Sequence, residues 1–182
     1  MRYFHITSVK NAISIYKNRQ IRPYAPIVGG LTYPNGVYLF GLPKDMNNNE
    51  RTSFLNALAG GLCYSRYFVV LSVDTSNLQL DKDPYYNAKE IDEFGVKISF
   101  TNSIIPITRI KLYGVYKVKL GILAHFIPPQ LILLLKQSYH KGKGDIDMFY
   151  QTFSKKTDIT NIGELQRLAI TKNVAELRDK TN

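Results

Sequence analysis

A strand that turns directly into a helix opens this chain, and that junction narrows its possible folds more than any other stretch. Residues 2–6 carry a strand-like pattern. Ser8 stands where a hydroxyl caps the first turn of a helix in which Val9, Ala12, Ile13 and Tyr16 recur at helical spacing. This helix is expected to run through residues 15–16, and a chain that starts this way belongs among mixed folds.

The rest of the sequence weights the mixture toward strands, then toward helices. Residues 21–34 are rich in Pro and Gly and read as a loop; the turn signal Pro34-Asn35-Gly36 then introduces a strand at 36–40. A polar stretch at 45–49 leads into an expected helix at 50–64, with Phe54, Leu55, Leu58 and Leu62 along one side and Gly60-Gly61 weakening its end. Residues 66–73 read as an apolar strand and 74–86 as turns. Further strands are expected at 96–100 and 104–118, broken at Pro106 because proline removes a ladder donor. From Pro128-Pro129 onward the pattern changes to helices near 130–139, 146–153 and 162–179, with a basic linker at 140–144. The expectation is a single α+β domain: a core over residues 1–126 and a basic, helical C-terminal extension of the same domain over 127–182.

Composition supports a folded domain and excludes several classes. The chain has 182 residues, 45% of them hydrophobic and 21% charged, far from the signature of disorder. At this size about 70% of the unfolded chain's surface is buried on folding. The apolar run at 131–135 falls well short of the roughly 20 residues a membrane-spanning helix needs, and the N-terminus lacks the apolar segment of a signal peptide. A lone cysteine, Cys63, cannot form an internal disulfide, which fits a reducing compartment. The expected location is the cytoplasm, with no membrane partner.

The net charge of +10 is unevenly spread. Residues 1–108 hold 11 basic and 8 acidic side chains and residues 109–182 hold 13 and 6, so seven of the ten surplus charges lie in the second part. Such a field steers polyanions toward the protein. Tyrosines interleaved with lysines at 111–119 suit single-stranded nucleic acid, and suit an amphipathic strand equally well.

An ordered trio carries the strongest functional signal: Tyr3-Phe4-His5-Ile6-Thr7-Ser8 at the start, Gly36-Val37-Tyr38-Leu39-Phe40 further on, and the acidic cluster Glu90-Ile91-Asp92-Glu93 before another apolar run. With Phe68-Val69-Val70-Leu71-Ser72-Val73-Asp74 and Ile105-Pro106-Ile107-Thr108-Arg109-Ile110, these segments resemble the ADP-ribosyltransferase superfamily over about residues 2–118. The branch resembled includes poly(ADP-ribose) polymerases, diphtheria-like toxins and the DNA-modifying toxins of toxin–antitoxin modules.

That resemblance implies a split antiparallel sheet with peripheral helices, and a reaction that takes NAD as co-substrate. His5 would hydrogen-bond a ribose hydroxyl, Thr7 or a neighbouring backbone group would hold the carboxamide, and Tyr38 would stack on the nicotinamide ring. A carboxylate would stabilise the oxocarbenium-like state; Glu93 is the first choice for it, Glu90 the second and Asp81 the third. Arg22, or Arg19, would meet a phosphate from the Pro- and Gly-rich loop. Read from the residues alone, His5 is also a strand-end histidine, Tyr38 a strand tyrosine and the acidic cluster a solvated turn.

Other chemistries lack their motifs. His5, His125 and His140 show no metal-ligand spacing, and no phosphate-cradling Gly-Lys-Ser/Thr loop or Gly-x-Ser-x-Gly elbow is present. The leading expectation is an NAD ADP-ribosyltransferase acting on a macromolecule, with nucleic acid favoured over protein, of the kind found in toxins or effectors and open to an inhibitor or antitoxin partner. Its rival is a basic module without catalysis that binds nucleic acid or a host protein; an RNA 2′-phosphotransferase of related fold ranks below both.

Overall fold

In the computed structural model, residues 1–25, 27–28, 31–32, 34–45, 67–82, 97–118 and 154–178 are described. The opening strand, β1 (Arg2–Ser8), runs two residues further than the sequence pattern suggests and passes straight into α1 (Val9–Asn18). The Ser8 hydroxyl caps α1 as expected, accepting from the Asn11 N–H at 3.2 Å. Arg19 closes the helix in the left-handed conformation at φ 57°, its N–H bonded to the Ile15 carbonyl.

The segment read as a loop after α1 contains short strands. β2 (Gln20–Ile21) pairs with β9 (Ile105–Pro106), β3 (Ile27–Val28) pairs with β4 (Leu31–Thr32), and Tyr24 bridges Gly36. Pro106 is tolerated because it lies on a two-stranded ladder, where only one side of the strand needs a donor. The expected helices at 50–64, 130–139 and 146–153 lie outside the described residues, as do Cys63, His125 and His140.

Around β1 stands an antiparallel sheet built from β5 (Val37–Leu42), β6 (Tyr67–Val73), β7 (Asp81–Lys82), β8 (Lys97–Thr101), β10 (Ile110–Val118) and β11 (Ser154–Lys156). Among the described residues its order is β11-β10-β6-β1-β5-β8-β7, so β1 is central and its two neighbours are the next long strands in sequence. The fold is α+β with a mostly antiparallel sheet. Before β10, Ile107–Arg109 form one 3-10 turn.

One sheet face packs against the helices. Val37, Leu39, Val69, Leu71, Val73, Ile110 and Val115 meet Ala12 and Ile15 of α1 and Leu165 of α2 (Ile162–Arg178). Leu165 is fully buried; removing a leucine side chain of this size from water is worth about 1.5–3 kcal/mol. The start of α2 is fixed locally, since Asn161 Oδ1 accepts from the Glu164 N–H at 3.0 Å while the Glu164 carboxylate accepts from the Thr160 N–H at 2.8 Å. The stretch expected as a helical appendage thus supplies an edge strand, β11, and a helix that completes the core. The opposite face carries an aromatic layer: Phe4 meets Tyr113 edge-on at 5.0 Å, and Phe68 stacks on Tyr116 at 5.1 Å.

Candidate functional site

The two flanks of β1 are paired to very different extents. Against β6 the ladder runs from Tyr3↔Val73 to Ser8↔Phe68; against β5 it covers only Arg2↔Leu42, Tyr3↔Gly41 and Phe4↔Phe40. The sheet therefore opens between β1 and β5 immediately after Phe4, and the next residue is His5. Its side chain spans the opening, with Nδ1 3.0 Å from the Tyr38 carbonyl oxygen.

A carbonyl only accepts, so His5 Nδ1 carries the hydrogen and donates it, leaving Nε2 with a lone pair in the neutral ring. Burial pushes the His5 pKa below its ordinary value, and the bond to Tyr38 opposes that only partly. Near neutral pH the ring is an uncharged donor at Nδ1 and an acceptor at Nε2. The residue is only 5% exposed and stands beside Leu71 on the face that packs against α1 and α2.

His5 and Tyr38 share a hydrogen bond without sharing a side of the sheet. Phe4 pairs with Phe40, so Phe4, Phe40 and Tyr38 point to one face, and His5 points to the other with Leu71. Tyr38 stacks on Phe100 at 5.5 Å, and its hydroxyl donates to the Pro34 carbonyl at 2.8 Å. What β5 presents to His5 is the tyrosine's carbonyl and not its ring. Thr7 is buried on the same face as His5, opposite Val69.

The remaining candidates are dispersed. Glu93, Glu90 and Asp92 lie outside the described residues. Asp81 is half-buried on the edge strand β7, opposite Phe100, and so falls on the Tyr38 side of the sheet. Arg22 is exposed one residue past β2, on the separate β2–β9 ladder. With the Gln20 amide turned to satisfy its neighbours, its oxygen accepts from Arg22 Nε and Nη2 at 2.6 and 2.8 Å. Arg19 is exposed at the end of α1.

No family model, curated protein or solved structure matches this chain.

A concavity lies elsewhere on the sheet, and the sequence carries no signal for it. A cleft of about 580 Å³ lies where β1 begins and β6 ends, lined by Arg2, Lys44, Asp74, Arg109, Lys111 and Tyr113 among others. Its cations come from positions far apart in the chain and carry no local signature; only the lysines and tyrosines of β10 were visible as an interleaved pattern. Among the described residues no group of three or more His, Cys, Asp or Glu side chains is placed to hold a metal ion, and no helix is long and apolar enough to cross a membrane.

Proposed function

We propose that this protein is an NAD ADP-ribosyltransferase whose ribose-binding group is His5. One observation carries the reading: the sheet opens beside the central strand at the residue where the resemblance expects the histidine, and the hydrogen bond to Tyr38 leaves Nε2 available as an acceptor. A buried, neutral imidazole held in one tautomer suits a ribose hydroxyl, which donates to Nε2 without any change of charge. The mostly antiparallel sheet and the strand-to-helix opening are compatible with the α+β fold that the resemblance implies.

In this reaction the bond between the ribose C1′ and the nicotinamide nitrogen breaks, nicotinamide leaves with the electron pair, and an acceptor oxygen or nitrogen attacks C1′ and loses its proton to solvent. Glu93, four residues before β8, is the proposed stabilising carboxylate, with Glu90 next. Tyr38 acts through its carbonyl, which fixes the His5 tautomer, so a platform for the nicotinamide ring must come from another side chain.

The test is incubation with NAD labelled separately on nicotinamide and on adenosine, following nicotinamide release and transfer of label to nucleic acid or protein. His5→Asn keeps an N–H near the Nδ1 position for the Tyr38 carbonyl but lacks Nε2, so it should fold and bind NAD about tenfold more weakly, the worth of one lost hydrogen bond. Glu93→Ala should abolish transfer. An unmodified protein that neither releases nicotinamide nor shifts its melting temperature with NAD overturns the proposal.

A further inference from the structure

The cleft at the start of β1 is separate from His5 in position and in chemistry. Arg2, Phe4, Ser72 and Lys111 are matched in register and lie on the face opposite His5. Among the described residues, the cationic side chains of Arg2, Lys44, Arg109 and Lys111 line the cleft together with one carboxylate, Asp74. The carboxylate is occupied locally: it accepts from the Ser76 hydroxyl at 2.6 Å and the Ser76 N–H at 3.0 Å. Arg109 braces the same turn by donating to the Ser76 carbonyl.

The cationic surface continues past the cleft. A register shift between Leu112 and Gly114 inserts Tyr113 into β10 and aims its ring at Phe4, and the Lys156 ammonium of β11 sits 5.1 Å from that ring's centre. Arg2 on β1, Lys111 on β10 and Lys156 on β11 therefore face the same way across four neighbouring strands. Lys156 stands level with Tyr116, Phe68 and Ser8, six residues along β1 from Arg2, so at about 3.4 Å per residue and 4.8 Å per strand the backbone positions of Arg2 and Lys156 lie roughly 25 Å apart, wider than one phosphate needs. A volume near 580 Å³ is that of a small-molecule pocket.

We infer that this cleft and the row leading from it form a binding track for the backbone of single-stranded nucleic acid, with Arg2 and Lys111 contacting phosphates and Lys156 extending the contact. The combination of a basic groove with an aromatic at its wall is what sequence-tolerant binding of single strands uses. The assignment does not depend on NAD chemistry.

The experiment is fluorescence anisotropy of a labelled, mixed-sequence single strand of about 12 nucleotides, titrated with protein between about 50 and 200 mM salt, a range over which phosphate contacts change affinity strongly. Arg2→Ala/Lys111→Ala should weaken binding at least tenfold and reduce the slope of log K against log salt by about 2, one for each phosphate contact. Lys10→Ala/Lys17→Ala on the exposed side of α1 removes the same charge and should change affinity less than twofold. Equal losses in both variants, or no binding at low salt, overturn the inference. Displacement of the strand by inorganic phosphate at matched phosphate concentration marks a single-anion site and also overturns it. Poly-glutamate competing as well as unlabelled oligonucleotide points to an acidic protein instead and does the same. Binding in a protein inert toward NAD sustains the inference while the transferase proposal fails; NAD turnover without binding does the reverse.

Discussion

The His5 imidazole bonds the Tyr38 carbonyl at 3.0 Å across the gap where β1 and β5 stop pairing, while the two side chains point to opposite faces of the sheet. A side chain thus replaces a backbone ladder contact at the one place where the central strand leaves its neighbour. The bond also makes the histidine a titratable brace.

Because burial lowers the folded-state pKa of His5, the unfolded chain, titrating near 6.5, takes up the proton first as pH falls. Stability is full above that value and declines as pH drops from about 6.5 toward the lower folded pKa, since the unfolded state binds more protons in that window. Thermal melts of the unmodified protein and His5→Asn between pH 8 and pH 5 should show a steeper acid decline for the unmodified protein. Parallel curves would contradict a buried neutral ring.

Leu165 tests whether α2 belongs to the core. It is fully buried beside α1 residues, whereas Ile170 on the same helix is exposed. Leu165→Ala should destabilise the protein by about 2–5 kcal/mol in urea titrations, and Ile170→Ala should stay within about 0.5 kcal/mol. A small loss at Leu165 would mean that the helix is dispensable.

Gly36 is held to glycine by contact. A Cβ there would sit 2.6 Å from the Phe100 ring that stacks on Tyr38. Gly36→Ala is expected to cost about 1–3 kcal/mol as an overpacking substitution, and Gly36→Ala/Phe100→Leu should recover part of the affinity between β5 and β8, read as a smaller loss than the two single changes added together.

Arg19 caps α1 with φ at 57°, a conformation that side chains resist. Its carbonyl accepts from the Ile107 N–H at 2.8 Å, a bond that glycine keeps. Arg19→Gly is expected to raise the midpoint of thermal unfolding, by up to about 1 kcal/mol in stability; a lower midpoint would assign the guanidinium a structural role.

The local pattern of residues settled β1, α1 with its Ser8 cap, β5, β6, β8, β10 and α2, because strand alternation, helical spacing and capping are short-range signals that the chain carries in adjacent positions. It also settled the net positive charge and placed a histidine on the opening strand. Tertiary structure decided the rest. Whether Gln20 meets Pro106, whether residues 154–156 join the sheet, and where the β1–β5 ladder stops are all matters of pairing between segments distant in sequence, and no residue announces its partner. The face on which Tyr38 stands relative to His5 follows from register, which a shift of one position would reverse. For the same reason Arg2, Lys44, Arg109 and Lys111 became one cleft only when three strands, a 3-10 turn and the end of β5 brought their charges to the same end of the sheet.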